Sequence, residues 1–312
     1  MTLIIETIII YSLMYSIAVM GLSLVVGYAQ IFVLSQAAIF GVGGFTYGVM
    51  AGRNISTDLL IVIPVAMIIG GLLSLITGLP LFRLGGDYYI VASLTFQYVI
   101  IQGLVNWYSI SGGPPGLYAF PSPTVLGWHV NSNIDFILVL VPILIISLGA
   151  LMWIRRMPYG RALVAMADDE VAMEAGGVRA DAIKVSVFVL AGVLAAVAGV
   201  LYTSFIDAAS PGDFSVAASI AMVSMVLVGG ARSLFGPFIG ALLLSSLPYW
   251  LSLAHWSVYM TGVLTGALLL LVAFLLPEGF AGIGQSRLGQ AMHLNGHRSS
   301  TVQKLMDAQN EQ

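Results

Sequence analysis

The sequence RRMPYGRALVAMADDEVAMEAGGVRADAIK, residues 155–184, is a polar island in a chain otherwise rich in apolar residues. It contains ten charged side chains, whereas the whole 312-residue protein has 11 basic and 14 acidic ones. Apolar runs lie on both sides of it, and about 20 apolar residues suffice for a helix that crosses the hydrocarbon layer of a bilayer. This arrangement predicts a membrane protein with one large polar surface.

The composition supports the same prediction. The chain is 59% hydrophobic and 8% charged, whereas about a quarter of the residues of a soluble domain are charged. The apolar runs are too long for the alternating strands of an outer-membrane barrel, and helices pair all their backbone groups internally. The sequence therefore predicts an all-α polytopic membrane protein, a bundle of about eight to ten transmembrane helices. The absence of cysteine excludes disulfides and thiol chemistry.

Nine apolar runs are candidates for these helices. They are Leu3–Val26, Ile31–Ala51, Leu59–Leu79, Tyr88–Trp107, Phe136–Ile154, Val185–Ile206, Phe214–Val228, Phe235–Leu253 and Val258–Leu276. The first lacks the basic start of a cleaved signal peptide, so we expect it to be a retained span. Gly41–Gly44 interrupts the second run and the seventh is short, so either is a candidate for a broken or re-entrant segment. We assign residues 1–284 to a transmembrane domain and residues 285–312 to a polar cytoplasmic tail.

The distribution of lysine and arginine predicts the orientation. Five of the 11 basic residues lie in the polar island, and Arg287, Arg298 and Lys304 lie in the tail. The positive-inside rule places both regions in the cytoplasm. The loop 109–135 has no basic residue and is expected outside. The same count places Arg53 and the amino terminus outside.

Small residues recur four positions apart in several runs. The pairs are Gly44 with Gly48, Gly48 with Gly52, Gly192 with Ala196, Ala195 with Gly199, Gly236 with Gly240, and Gly262 with Gly266. On a helix this spacing forms a smooth stripe that another backbone can approach. We therefore expect tightly packed helices.

The polar island has the pattern of one or two short helices. Pro158 and Gly160 can end the preceding span, and Gly176 with Gly177 supplies a stop signal. Between them, apolar side chains recur at helical spacing and acidic ones crowd the remaining surface. The apolar set is Val164, Ala167, Val171 and Ala175.

The stretch GRALVAMADDEVAMEAGGV, from Gly160 to Val178, resembles the coupling segment of ABC-importer permeases, in the version found in LivM-type branched-chain amino acid permeases. Six further stretches resemble that family in the same order. They are SQAAIFGVGGFTYG from Ser35, GGDYYIVASLTFQYVI from Gly85, NWYSISGGPPGL from Asn106, SPGDFSVAASIAMVSMVLVGG from Ser210, LFGPFIGALLL from Leu234 and VLTGALLLLVAFLLPEGFAGIG from Val263. Arg232 and the pair Tyr249 and Trp250 depart from the family pattern.

The resemblance implies a permease subunit in the bacterial-type cytoplasmic (inner) membrane. Its implied partners are two cytoplasmic ABC ATPases, a second permease subunit of the LivH type, an extracytoplasmic solute-binding protein and membrane lipid, with no nucleic acid. The segment that would couple the chain to the ATPases is matched by Gly160, Arg161, Asp168, Asp169, Glu170, Glu174 and Gly176. The implied cargo is a branched-chain or related amino acid, moved by alternating access.

Missing motifs agree with a non-enzymatic subunit. Neither lysine, Lys184 or Lys304, completes a GxxxxGK[ST] phosphate-binding loop. ATP would therefore be used by partner chains, and we expect this chain to bind no cofactor. His293 and His297 are four residues apart, but nothing nearby completes a metal site. No nucleophile, base and orienting group occur at a recognisable spacing.

Polar residues in and after the fourth run are candidates for a substrate path. Hydroxyl, amide and freed backbone groups can replace part of the hydration shell of a polar solute. The candidates are Tyr88, Ser93, Thr95, Gln97, Gly112 and Gly113. The bland alternative is that the hydroxyls bond their own helix and the glycines only turn the chain.

Other functions remain open at this stage. Urea and short amides are alternative cargoes in this class of permease. An ion-coupled secondary carrier or passive channel would need no ATPase, although the apolar runs contain almost no ionisable group of the kind such a carrier uses. A membrane scaffold without a path of its own is a further alternative.

Overall fold

The computed structural model describes residues 2–81, 88–231, 233, 235–253 and 266. These residues form an almost entirely helical bundle. The long helices are α1 (Thr2–Ser23), α2 (Gln36–Gly52), α3 (Leu59–Leu81), α4 (Tyr88–Asn106), α6 (Asn133–Arg156), α9 (Ala180–Ile206), α10 (Val216–Gly229) and α11 (Gly236–Leu253). Shorter helices are α5 (Tyr108–Ser111), α7 (Pro158–Asp168) and α8 (Glu170–Ala175). A π-helical turn, Leu24–Tyr28, extends α1, and a 3-10 turn, Pro211–Phe214, precedes α10.

Each of the eight apolar runs that fall within the described residues contains a helix, which confirms the predicted fold class. Five helices are long and apolar enough to cross a membrane: Leu3–Tyr28, Leu59–Leu81, Tyr88–Asn106, Asn133–Arg156 and Ala180–Ile206. Val216–Gly229 and Gly236–Pro248 are shorter apolar helices. Exposed apolar side chains cover α3, α4 and α6, including Ile76, Val99 and Ile146. Such a surface is stable in hydrocarbon rather than in water.

Helix α9 forms the centre of the bundle and packs against α1, α2 and α3. Its small residues bring the backbones close together. A Cβ at Gly199 would overlap the carbonyl oxygen of Phe40, and one at Gly43 would overlap the backbone of Ala196. Gly236 and Gly240 likewise lie against the backbone of α10. These contacts confirm the tight packing predicted from residue spacing at Gly199, Gly236 and Gly240, whereas Gly48 and Gly52 lie beside the side chain of Phe120.

Helix α2 is continuous, so the alternative that Gly41–Gly44 breaks it is wrong. The glycines maintain the helical hydrogen bonds and serve close packing instead, with Gly41 against the ring of Phe214. The irregular backbone lies earlier, between the π-helical turn and Gln36. The short α10 fits better the alternative that the seventh apolar run, Phe214–Val228, is a broken or re-entrant segment. It follows a 3-10 turn whose last residue, Phe214, is fully buried against the rings of Phe40 and Phe45.

The loop predicted to lie outside packs over one end of the bundle. Its strand β1 (Leu117–Tyr118) pairs antiparallel with β4 (Ala208–Ala209), directly after α9. A small hairpin joins β2 (Thr124–Val125) to β3 (Trp128–His129). Arg53 donates from Nη2 to the carbonyl oxygen of Ser109 at 2.7 Å. This contact places Arg53 at the same end of the bundle as the loop, as the sequence predicts, and the side of the membrane on which both lie remains a prediction.

Several predictions concern residues outside the described ranges. They include the ninth apolar run, Val258–Leu276, apart from Gly266, and the tail 285–312 with its three basic residues. Arg232 and the side chains of Tyr249 and Trp250 are also outside. The division into a membrane domain and a tail remains a prediction.

The packing around α9 predicts a large effect of one methyl group. Gly199→Ala should destabilise the protein by about 1–3 kcal/mol or more, because the new Cβ forces the α2 and α9 backbones apart. Gly149→Ala is a matched control, since nothing lies within 4 Å of a Cβ at Gly149. Thermal unfolding in detergent should show a lower midpoint for Gly199→Ala alone. Equal midpoints for the two variants would contradict the described packing.

Candidate functional site

The polar island folds into two short helices joined by a sharp break. Helix α6 ends at Arg156, and Pro158 is the first residue of α7. Proline suits this position because the first helical N–H has no partner within the helix. Asp169 then ends α7 and caps α8, since its Oδ1 accepts a hydrogen bond from Ala172 N–H at 2.9 Å. Gly177, with φ of +85°, follows α8 in a left-handed conformation.

The packed face of α7 differs from the apolar stripe that the sequence predicts. Gly160, Leu163 and Met166 are buried. Val164 is exposed, and on α8 Val171 is 78% exposed. The break at Asp169 interrupts the helical period, so a stripe counted through it does not describe one surface. The exposed valines lie among the exposed acidic residues Asp168, Asp169 and Glu174.

Helix α7 packs against the end of α6 and the π-helical turn. A Cβ at Gly160 would overlap the backbone of Arg155. Arg161 and Asp168 line a cleft of about 390 Å³ together with Tyr28. The guanidinium of Arg155 lies 4.6 Å from the centre of the Tyr28 ring, within the range of a cation–π interaction.

A hydrogen bond fixes the start of α7 to α9. The hydroxyl of Tyr159 pairs with that of Ser186. Burial raises the pKa of the Tyr159 hydroxyl, and the hydrogen bond with Ser186 partly offsets that increase. Tyr159 also lines a groove of about 930 Å³ with Trp153 and Arg179.

Lys184 connects the polar island to the membrane helices. Its Nζ lies 2.5 Å from Oε1 of Glu170 and donates to the hydroxyl of Tyr89 at 3.1 Å. The Lys184 side chain is 5% exposed and that of Glu170 is 44% exposed. Among the described residues Lys184 is the one charged residue that is buried. The sequence interpretation placed Glu170 in the coupling segment but did not identify its contact with Lys184, or the contact of Lys184 with Tyr89.

The candidate path residues of α4 divide between two faces. Ser93 and Gln97 are the buried residues of this helix. Tyr88 is 71% exposed, and the exposed Thr95 donates its hydroxyl hydrogen to the carbonyl oxygen of Val91. The structure therefore brings Ser93 and Gln97 into the bundle interior and leaves Tyr88 and Thr95 on its surface.

Gln97 joins the amino-terminal ends of two helices. Its Oε1 accepts a hydrogen bond from Ala38 N–H of α2 at 2.8 Å, and its Nε2 donates to the carbonyl oxygen of Phe214 at 2.7 Å. Ser219, in the first turn of α10, donates to the same Oε1 and accepts from Ala37 N–H at 2.9 Å. These side chains satisfy backbone groups that the first turn of a helix leaves unpaired.

Three further polar residues complete this buried junction. Ser93 accepts a hydrogen bond from Leu34 N–H at 2.9 Å. Ser35 Oγ and Gln36 Oε1 are buried and have no hydrogen-bond partner. Sequence reasoning missed Ser35, Gln36 and Ser219. Their signal was the presence of polar residues inside apolar runs, at Ser35-Gln36 and at Ser219.

Gly112 and Gly113 belong to a turn in the outer loop. Both have positive φ angles, +74° and +77°. Their nearest neighbours are Gly116 and Leu117 of the same loop and Tyr108 at the start of α5. The contacts of these two glycines fit the role of turning the chain.

Within the described residues no group of three or more histidine, aspartate and glutamate side chains could hold a metal ion. Nothing in that part of the chain supports the assignment of a cofactor. The candidate site has two parts: the surface of α7 and α8, from which Glu170 contacts Lys184, and the buried polar junction around Gln97.

Comparison with known proteins gives a family match along most of the chain. Residues 4–273 match the family described as "Branched-chain amino acid transport system / permease component". The chain is 28% identical over 256 residues to the high-affinity branched-chain amino acid transport system permease protein LivM of Escherichia coli K12, covering 75% of this chain and 60% of LivM. It therefore spans about three fifths of the length of that relative. No solved structure gave a match.

Two sugar permeases are also similar. The ribose import permease protein RbsC of Haemophilus influenzae is 30% identical over 239 residues, covering 73% of this chain and 72% of RbsC. The xylose transport system permease protein XylH of Escherichia coli K12 is 28% identical over 170 residues, covering 51% of this chain and 42% of XylH.

The hydrogen bonds of Gln97 predict a strong effect of its removal. Gln97→Leu should lower the thermal unfolding midpoint in detergent, because Ala38 N–H and the Phe214 carbonyl lose their partners and each buried unpaired group costs about 1–3 kcal/mol. Thr95→Val, on the exposed face of the same helix, should leave the midpoint nearly unchanged. Similar decreases of the unfolding midpoint in both variants would contradict a stabilising role of the Gln97 hydrogen bonds.

Proposed function

This chain belongs to the permease-component family of branched-chain amino acid transport systems, and from that premise we propose that it is a membrane-spanning subunit of an ATP-driven importer for branched-chain or related amino acids. The observation that carries the proposal is the family match over residues 4–273, together with the LivM relative. The protein is a multi-pass membrane protein, as its five long apolar helices also indicate. Its bacterial relatives support a place in the inner membrane.

The proposed partners are two cytoplasmic ATPases, a second permease subunit and an extracytoplasmic solute-binding protein. The given sequence has no GxxxxGK[ST] loop, so we assign ATP binding and hydrolysis to a separate chain. The described spans contain no buried carboxylate of the kind that couples ion flow to transport. Both observations favour an energy source outside this chain.

The exposed surface of α7 and α8 is the proposed docking surface for an ATPase. It combines the uncovered valines Val164 and Val171 with acidic residues, whereas a segment that only connects two spans could be a few residues long. Apolar groups surrounded by polar ones are typical of protein interfaces. The residues that form this surface or its turns are Gly160, Arg161, Asp168, Asp169, Glu170, Glu174 and Gly176.

The proposed substrate path passes the buried junction at Ser93 and Gln97, with Tyr88, Thr95, Gly112 and Gly113 as its outlying candidates. Two helices begin at this junction, and the junction offers the polar groups that a solute would need within an apolar bundle. Alternating access then requires two arrangements of the helices that bind the ATPase assembly with different affinity. ATP binding would shift the population between them.

Sugar import is the second candidate function, because RbsC is 30% identical to this chain. We expect amino acid import instead. The native complex, purified in mild detergent and reconstituted in proteoliposomes, should take up radiolabelled leucine only when ATP is supplied on the ATPase side and the binding protein on the other. Labelled ribose tests the second candidate in the same vesicles. Uptake by this chain alone, driven by an ion gradient, would contradict an ATP-driven importer.

A charge placed in the proposed docking surface tests its role. Val171→Asp should reduce the recovery of ATPase with the chain by more than about tenfold, because a charge at the centre of an interface costs about 2 kcal/mol or more. Leu126→Asp is the control, since Leu126 is 83% exposed and lies in the outer hairpin. Quantitative mass spectrometry of the purified complexes measures the ratio. Full recovery with Val171→Asp would exclude this surface.

A further inference from the structure

We propose that Lys184 is the positioning residue through which the polar island controls helix α4. In this inference, which rests on the proposed importer function, a push on α8 reaches the buried junction by way of Glu170, Lys184 and Tyr89. No metal or cofactor takes part. The inference concerns how the movement of a docked partner becomes a movement of the substrate path.

The first link is the ion pair between Glu170 and Lys184. Helix α8 has only six residues and none of them is buried. The helix therefore has little apolar packing to hold it against the bundle. Its Glu170 carboxylate contacts Lys184 at 2.5 Å, the ion pair found within the described residues. A displacement of α8 must either break this pair or move Lys184 with it.

Because the Lys184 ammonium is buried, its free energy depends strongly on the position of Glu170. Lys184 lies at the start of α9 with a side chain that is 5% exposed. A buried charge without a partner is expensive, so breaking such a pair costs several times more than losing a surface salt bridge. The half-exposed carboxylate of Glu170 can reach water, whereas the ammonium cannot. A partner that moves Glu170 therefore changes the free energy of the Lys184 side chain directly.

The second link is the contact of Lys184 with Tyr89 on α4. Lys184 Nζ donates to the tyrosine hydroxyl at 3.1 Å and also lies 5.5 Å from the centre of its ring. Tyr89 is the second residue of α4. Any movement of the Lys184 ammonium therefore changes both of its contacts with Tyr89.

The third link is the spacing of polar residues along α4. Tyr89, Ser93 and Gln97 follow one another at intervals of four residues and therefore share one face of the helix. Each of them contacts a different part of the protein. Tyr89 contacts Lys184, Ser93 accepts from Leu34 N–H, and Gln97 binds the ends of α2 and α10.

This polar stripe supplies the fully buried contacts of α4. Ser93 and Gln97 are its only buried residues, apolar side chains such as Phe96 and Leu104 are partly buried against the core, and the opposite face is exposed and apolar. A helix with so few buried contacts can shift as a unit when the end contact changes. Lys184 provides that end contact, at the point where the polar island meets the membrane helices.

The test measures substrate transported per ATP hydrolysed in the reconstituted complex. Lys184→Met should leave the ATPase bound and active but lower this ratio by about tenfold, within the range of coupling between two sites. Glu170→Gln should lower the ratio to the same extent. Tyr89→Phe, which removes only the hydroxyl, should lower it less. Tyr98→Phe on α4 and Asp181→Asn on α9 are matched controls that should keep the ratio of the unaltered complex, because both side chains are exposed and neither belongs to the proposed path or docking surface.

A charge exchange tests the ion pair itself. Glu170→Lys and Lys184→Glu should each uncouple the complex, and the double exchange should recover a large part of the ratio. If Lys184 only stabilised the fold, the ratio would fall in proportion to the thermal unfolding midpoint of each variant. Lys184→Arg keeps the positive charge, so we expect it to preserve both the midpoint and the ratio. A ratio unchanged in Lys184→Met, or a double exchange no better than its parents, would overturn the inference.

The absence of cysteine allows a direct structural readout. Spin labels on Val91→Cys of α4 and Ile146→Cys of α6, both at exposed positions, report the distance of α4 from another helix of the bundle. We expect ATP to change that distance in the unaltered complex and not with Lys184→Met. An equal change in both would overturn the inference alone. A lack of ATP-driven uptake in the unaltered complex would contradict the importer proposal as well.

Discussion

The closeness of the α9 backbone to the helices around it is the constraint on which the bundle depends. Apolar side chains are no more stable against one another than against lipid, so helices in a bilayer associate through close packing and hydrogen bonds. Gly43, Gly70 and Gly199 let α2, α3 and α9 approach until backbone atoms touch. Gln36 adds a hydrogen bond from its Nε2 to the carbonyl oxygen of Ala191. The position of α2, and hence of the buried junction at its start, follows from these contacts.

The polar junction satisfies a second constraint, that backbone groups inside the bundle need partners. Helices α2 and α10 both begin beside Gln97, so their first N–H groups cannot reach water. Gln97, Ser93 and Ser219 provide the hydrogen bonds, although Ser35 Oγ and Gln36 Oε1 stay without one. Side chains can exchange such partners, whereas a continuous helix cannot. The junction is therefore the part of the bundle interior best suited to a change of arrangement.

The sequence predicted the helices, their close contacts and the ends of the polar island from local properties. Run length identifies a span, glycine spacing identifies close approach, and Pro158 with Gly176 marks helix ends. The sequence could not show which face of α7 is packed, because the break at Asp169 resets the helical period. It also could not separate a lipid-facing residue from a buried one, since both are apolar in a membrane. Contacts between distant residues, such as Lys184 with Tyr89, depend on the fold as a whole.

The location of Lys184 explains why one charge inside the helical bundle is tolerable there and informative about function. An ammonium at the middle of the membrane would be costly, whereas Lys184 lies at the start of α9, where Glu170 reaches it from the polar island. A methionine or leucine would pack at this position without an ion pair, and replacing a buried pair by apolar side chains is often neutral or stabilising. Stability alone therefore does not explain the presence of this ion pair. Its position between α8 and the polar stripe of α4 offers an explanation, because a charged contact there links a movement of α8 to a movement of α4, as transport would need.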